Sequence, residues 1–247
     1  MEPIAVITGA DRGLGFALCE KLLEKGWRVF AGQYMPSWPQ LAGLSERYPE
    51  KLHVILLDVS FDESVKAAAM QVSSIVNHLD MLINNAGIIS PYNELDIREQ
   101  LNYEDMHRIY DVNALGPIRT VGAFLPLMDN GRLKRLCFVS SEAGSIGACT
   151  RKAWYGYCMS KAALNMAVKI IFNRLRPEGY TFRLYHPGWM RTYMWGEKNY
   201  EADMEPEEAA VYALQYFLSG TPYAEGDIHI DEDRLVLRDY RLNEWPW

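Results

Sequence analysis

Short, mostly apolar runs alternate along the chain with longer segments whose apolar residues recur every three or four positions. The runs are Ile4-Ala-Val-Ile-Thr8, Trp27-Arg-Val-Phe-Ala31, Leu52-His-Val-Ile-Leu-Leu57 and Met81-Leu-Ile83, which ends on Asn84. Leu133 to Val139 and Thr181 to Tyr185 follow, with Ile228-His-Ile230 as a weaker last strand. Runs of this kind suit strands of a parallel sheet covered on both faces. Helical spacing marks Leu14 to Lys25, where Leu14, Leu18, Leu22 and Leu23 share a face and Gly26 ends the pattern. Ser64 to His78, Tyr103 to Met128, Tyr155 to Arg176 and Pro206 to Leu218 read the same way, and Pro117 and Pro126 should bend or interrupt the third of these.

This alternation predicts an α/β fold, a Rossmann-type doubly wound parallel sheet flanked by helices. No linker, repeat or low-complexity tract breaks it, so a single domain over 1–247 is expected. Two long loops, Ile88 to Asn102 and Gly188 to Met204, would lie where ligands bind in such sheets. The second implies a substrate loop at about 188–205, and a C-terminal tail covers about 232–247.

Composition narrows the chemistry. Lys+Arg 25 against Asp+Glu 32 gives a net charge of −7, a poor match to a nucleic-acid partner. No stretch reaches the ~18 consecutive apolar residues of a membrane span. Met-Glu-Pro-Ile-Ala-Val at the start lacks the basic residue of a signal peptide. Cys19, Cys137, Cys149 and Cys158 have no CxxC spacing, which with the unremarkable start points to reduced thiols and a cytoplasmic location. The five histidines form no HExxH or His/Cys cluster, so no metal site is expected.

Thr8-Gly-Ala-Asp-Arg-Gly-Leu-Gly15 stands between the first strand and the first helix. Glycines there let the backbone approach a pyrophosphate, and the helix N-terminus presents free N–H groups and a positive dipole end. Arg12 is a candidate for holding a 2′-phosphate. Gly32-Gln33-Tyr34, where the second strand should end, carries no acid to bond a ribose 2′-OH. The sequence therefore favours NADP and leaves NAD possible. Asp58 could accept from an adenine amino group or cap a helix, and Asn84-Asn-Ala-Gly87 leaves room for a ribose.

Tyr157-Cys-Met-Ser-Lys161 places a phenol and an amine one helical turn apart. An ammonium beside a phenol favours the phenolate, so the Tyr157 pKa is expected to fall from ~10 toward working pH. A tyrosine so tuned can exchange a proton with an oxygen whose carbon exchanges hydride. Ser141 could orient that oxygen, and Asn113 could hold a water linking Lys161 to solvent.

Taken together these motifs resemble the short-chain dehydrogenase/reductase family over nearly the whole chain: TGADRGLG at 8–15, DV at 58–59, NNAG at 84–87, Asn113, SS at 140–141, YCMSK at 157–161 and HPGWMRT at 186–192. Finer details are similar to C-factor and sniffer-type carbonyl reductases. The resemblance implies hydride transfer between a nicotinamide cofactor and a carbonyl or alcohol carbon. It implies catalytic roles for Asn113, Ser141, Tyr157 and Lys161. It implies cofactor contacts from Gly9, Arg12, Gly13, Leu14, Gly15, Asp58, Val59, Asn85, Ala86, Gly87, Tyr157, Lys161, Pro187, Gly188, Met190 and Thr192. An Arg at the position of Arg12 accompanies NADP in many members. Pairing through the long helices, as a dimer or tetramer, is also implied.

The chain departs from the family pattern in three places. The Ser141 to Tyr157 stretch is longer than usual, which puts Trp154, Tyr155 or Cys149 to Lys152 at the substrate mouth. Gln33-Tyr34 lacks the usual acid or base. Glu232-Asp233 replaces a usual glycine pair. Trp189, Met190, Tyr193, Met194, Trp195 and Tyr200 make the 188–204 loop aromatic, which suits an apolar or aromatic substrate as well as it suits an interface. A non-catalytic dinucleotide sensor or scaffold is the competing reading; the intact Ser/Tyr/Lys/Asn set weighs against it. A sugar-nucleotide epimerase shares the YxxxK chemistry, but its extra substrate region has no counterpart in a chain of this length.

Overall fold

The computed structural model describes residues 2–226 and 228–247. Eight strands form one sheet in the order β3-β2-β1-β4-β5-β6-β7-β8. They are β1 (Ile4–Ile7), β2 (Arg28–Gln33), β3 (Leu52–Leu56), β4 (Met81–Asn84), β5 (Arg135–Val139), β6 (Thr181–His186), β7 (Leu237–Asp239) and β8 (Glu244–Trp245). All pairings are parallel except β7 with β8. The chain reverses its direction of travel across the sheet between β1 and β4, the switch point at which such sheets bind ligands.

The strands are apolar on both sides because helices cover both. Ala5 and Ile7 of β1 pack toward α1 (Gly13–Glu24), α2 (Gln40–Arg47) and α7 (Pro206–Phe217). Ile4 and Val6, one residue out of phase, pack toward α3 (Asp62–Ile75), α5 (Gly116–Asp129) and α6 (Tyr155–Leu175). Gly26, at φ +85°, closes α1 in the left-handed conformation that favours glycine.

The structure departs from the sequence expectation in three elements. The helix expected over Tyr103 to Met128 is α4 (Tyr103–Tyr110), a π-type turn over Asp111–Leu115, and α5. The interruption comes just before Pro117, which has no N–H to return to the helix it continues, and Pro126 breaks nothing. The carbonyl four residues before Pro126 belongs to exposed Gly122, open to water. The strand expected at Ile228 to Ile230 does not form. The place beside β6 is taken by β7, with β8 outside it at the edge, because Leu235, Val236 and Leu237 are buried against the sheet while Ile228 and Ile230 stay half-exposed. Helix α2, not anticipated, lies against β3.

Two fully buried arginines fix α7 beneath the sheet. Arg135 Nη1 donates to Phe217 O at 2.8 Å and Ser219 O at 2.7 Å, and Arg183 Nε donates to Tyr216 O at 3.0 Å. Cations on the last carbonyls of a helix are favoured by its dipole. Glu232, from the departing tail, forks onto Arg183 at 2.7 and 2.9 Å and neutralises one of the two charges.

Candidate active site

The glycine-rich turn takes its shape from the neighbouring end of β4. Thr8 Oγ1 accepts the N–H groups of Asn85 and Ala86, both at 3.0 Å, while Asn85 Nδ2 donates to Thr8 O at 3.0 Å and Gly9 O at 2.9 Å. The two strand ends lie so close that a Cβ on Gly9 would sit 2.8 Å from Ala86 Cα, and one on Gly15 would sit 2.2 Å from Gly9 O. Gly9 and Gly13 also hold φ of +62° and +58°. The motif is thus a packing requirement as well as a flexible turn.

A cleft of about 740 Å³ runs from this turn along the C-terminal ends of β1, β4, β5 and β6. It brings together Gly9, Arg12, Gly13, Leu14, Asp58, Val59, Asn85, Ala86, Gly87, Ser141, Tyr157, Lys161, Pro187, Gly188, Met190 and Thr192. Gly15 and Asn113 are the two candidate residues that do not line it. Gly15 acts from behind, through the packing just described. Asn113 is fully buried in the π-type turn. Its Oδ1 accepts from Ile88 N at 2.8 Å, and its Nδ2 donates to Ile88 O at 2.9 Å and Ser160 Oγ at 3.0 Å. The side-chain amide therefore clamps the 87–88 loop to α6.

Tyr157 and Lys161 project from the first turns of α6. Lys161 is 3 % exposed, its Nζ donates to Val139 O at 3.0 Å, and burial pulls its pKa down to about 8. The Tyr157 pKa does not fall as the sequence suggested: burial pushes it up to about 12, against a smaller downward pull from the Ser141 hydroxyl. The Lys161 ammonium sits 5.7 Å from the phenol ring centroid and is turned onto a backbone carbonyl, so desolvation outweighs it. Ser141 Oγ accepts from Ala143 N at 3.1 Å and stays on the cleft wall, whereas the Ser140 hydroxyl is spent on Asn165 Oδ1 at 2.7 Å. Both serines line the cleft, and of the two it is the Ser141 hydroxyl that acts on the Tyr157 phenol.

Beyond Tyr157 the cleft opens into an aromatic mouth. Trp154 meets the Tyr157 ring edge-on at 6.1 Å and the Trp195 ring at 5.7 Å. Trp154 itself is held at φ +70°, with its N–H on Asn93 O at 2.8 Å and Nε1 on Glu94 Oε1 at 2.7 Å. Arg151 forks onto Glu142 at 2.6 and 2.8 Å and covers the Trp154 face. The longer Ser141 to Tyr157 stretch thus supplies Arg151 and Trp154 to the mouth, while Tyr155 lies off the cleft. In the 188–204 loop all the named aromatic and methionine side chains except Tyr200 line the cleft.

At the opposite end Arg12 lies 4.7 Å from the Trp38 ring centroid and donates to Tyr193 O at 3.2 Å. Among the described residues it has no ion-pair partner, which leaves its charge for an anion. Asp58 Oδ1 accepts from the Ser60 N–H at 2.9 Å and hydroxyl at 2.6 Å; it closes a local turn and caps no helix. Asp11, which the sequence reading passed over, accepts from Tyr34 N at 3.0 Å and Met35 N at 2.7 Å. A glycine-walled turn at a helix N-terminus, an unpaired arginine and a cleft of about 740 Å³ fit an elongated phosphate-bearing molecule such as a dinucleotide. Among the described residues no cluster of His, Cys, Asp or Glu has the makings of a metal site, and no helix is long and apolar enough to cross a membrane.

The family profile described as short chain dehydrogenase matches residues 3–203. The chain belongs to that family. The family's relatives include an uncharacterized oxidoreductase of Schizosaccharomyces pombe, 36% identical over 216 residues that cover 86% of this chain and 83% of that one. The C-signal protein of Myxococcus xanthus is 47% identical over 118 residues, 48% of this chain and 69% of its own. Among solved structures, the NADPH-bound carbonyl reductase from chicken fatty liver is similar over the full length of both chains, with a TM-score of 0.84 and 26% identity. Family membership makes the C-terminal edge of the sheet, where the cleft lies, the place to look for chemistry.

Proposed function

We propose that this short-chain dehydrogenase is an NADP(H)-dependent carbonyl reductase acting on apolar or aromatic carbonyl compounds. The observation that carries the reading is the meeting of Tyr157, Lys161 and Ser141 on the cleft that the glycine-rich turn opens. NADPH supplies the hydride when bound. Gly9, Gly13 and the N-terminus of α1 would hold its pyrophosphate, Asp58 and Val59 its adenine, and Asn85 to Gly87 a ribose. Thr192 and Met190 would flank the nicotinamide half. Similarity to an NADPH-bound carbonyl reductase supports this choice of cofactor and reaction.

The residues divide the remaining work. Tyr157, held protonated by burial at neutral pH, donates its phenolic proton to the carbonyl oxygen as that oxygen gains negative charge. This state suits reduction better than oxidation, which needs the phenolate. Ser141 Oγ–H orients the same oxygen. Lys161, an ammonium at neutral pH, stabilises the phenolate left behind. Asn113 acts through position, fixing Ile88 and Ser160 around Lys161. The aromatic mouth excludes water and favours a flat apolar substrate.

Exposed Met159, Met166 and Ile170 on α6, with Ile118 on α5, support pairing of two copies through these helices. The test of function is a parallel titration of NADPH and NADH, followed by a panel of aldehydes, ketones and quinones with the tighter cofactor. Turnover with at least one carbonyl is expected. Tight binding without turnover across the panel would favour the sensor reading.

A further inference from the structure

In the glycine-rich turn Asp11 precedes Arg12, and its place in the sequence ties it to the phosphate end of the site. The fold ties it elsewhere. Its two carboxylate oxygens accept the N–H groups of Tyr34 and Met35, at 3.0 and 2.7 Å. These are the first residues after β2. Asp11 is 5 % exposed, it lines the cleft beside Tyr34 and Met35, and among the described residues no cation pairs with it. Arg12 does not neutralise it, because that guanidinium is turned onto Trp38 and Tyr193.

The end of the second strand is where a doubly wound sheet receives the ribose 2′ position of an adenine dinucleotide. A carboxylate there accepts from a 2′-OH and repels a 2′-phosphate. No acid follows β2 in this sequence, yet the fold delivers one from the neighbouring turn. We propose that Asp11 is a specificity-determining residue of the dinucleotide site: its carboxylate opposes a 2′-phosphate and holds the preference for NADPH over NADH to a small ratio. Adjacent residues then carry opposing terms. Arg12 attracts the 2′-phosphate and Asp11 repels it, and the balance between them sets the ratio. The inference rests on the nucleotide reading above and deepens it.

The test is a fluorescence titration of NADPH and NADH against the full chain and two variants at one fixed ionic strength. Asp11→Asn removes the charge, and one of the two N–H bonds with it, because an amide nitrogen cannot accept. A loosened loop lowers both affinities together and cancels in their ratio. The lost charge does not cancel: the ratio of NADPH to NADH affinity is expected to rise about tenfold. Asp11→Glu, which keeps the charge, is expected to keep the unsubstituted ratio even where both affinities drop. An unchanged or lowered ratio in Asp11→Asn, with dinucleotide still bound by the unsubstituted protein, overturns the role of Asp11 alone. Failure of the unsubstituted protein to bind either dinucleotide overturns the nucleotide reading, and this inference with it.

Discussion

Around Gly9 the wall of the cleft is main chain, closed by Asn85 Nδ2 on two carbonyls and by Thr8 Oγ1 on two amides. Around Trp154 the wall is side chain, three rings meeting edge to face between α6 and the 188–204 loop. Trp195, at the far end, is 41% exposed, while the turn at Gly9 has no room for one more carbon. A main-chain wall fixes one shape and accepts few substitutions. A side-chain wall can be re-cut residue by residue without disturbing the strands. The first suits a cofactor common to a family, the second a substrate that differs among its members.

Substitutions can break this contrast or sharpen it. Tyr157→Phe, at the junction of the two regions, should show the largest effect. Turnover is expected to fall about 10³-fold with dinucleotide affinity nearly unchanged, as single-turnover kinetics and a binding titration would show. Surviving turnover would remove the proposed acid. In the main-chain region, Gly15→Ala forces a carbon against Gly9 O and should cost about 3 kcal/mol of stability together with dinucleotide binding. Urea unfolding reads the first and titration the second; a stable variant that still binds would mean that the turn yields more than its packing implies.

Between the regions lies the buried amine. Lys161 is held at about 8, against an ordinary value of 10.5, so between these values the unfolded chain binds the extra proton. Its burial therefore costs stability below pH 8, at most about 3 kcal/mol, and the cost fades as pH rises toward 10.5. Tyr157 begins to act in the opposite sense only above pH 10, where the folded state keeps a proton that the unfolded chain loses. Relative to the unsubstituted protein, Lys161→Met should be more stable at pH 7 than at pH 9.5. Parallel denaturation curves at the two pH values would contradict the burial cost. The smallest effect is expected in the side-chain region: Trp195→Ala should lower kcat/KM for bulky aromatic carbonyls about tenfold and leave dinucleotide affinity alone. An equal loss for small aliphatic carbonyls would show that the ring shapes the site as a whole.

The same contrast explains what the sequence disclosed. The turn at 8–15 and the Tyr157/Lys161 pair are local, with partners and spacing inside one short stretch, so their chemistry is legible as a motif. The strands are legible for a similar reason, since burial on both faces leaves an unbroken apolar run. Contacts across long separations left no such trace. Trp154 and Trp195 are 41 positions apart in the numbering, and although each reads as a residue of the substrate mouth, nothing in either segment sets one ring against the other. Asp11 reads as a cradle residue until the fold places Tyr34 and Met35 against it. Periodicity carries straight through 111–115 and so hides the widened turn, and the half-apolar 228–230 run reads as more strand-like than the 237–239 segment that pairs with β6. For the Tyr157 pKa, spacing fixes which groups are near, while burial decides which effect wins.

The widened turn at Asp111–Leu115 makes chain length itself a condition of the site. A π-type turn accommodates one residue more than an α-helix would over the same rise. Deleting any single residue there would let the segment relax to ordinary α-helix, and each residue of an α-helix advances the next by about 100°. Asn113 would then swing off Ile88 and Ser160, or α5 would turn its apolar stripe away from α3. Point deletions between 111 and 115 should therefore be far less tolerated than most substitutions at the same positions, an asymmetry that a deletion scan of this protein would expose.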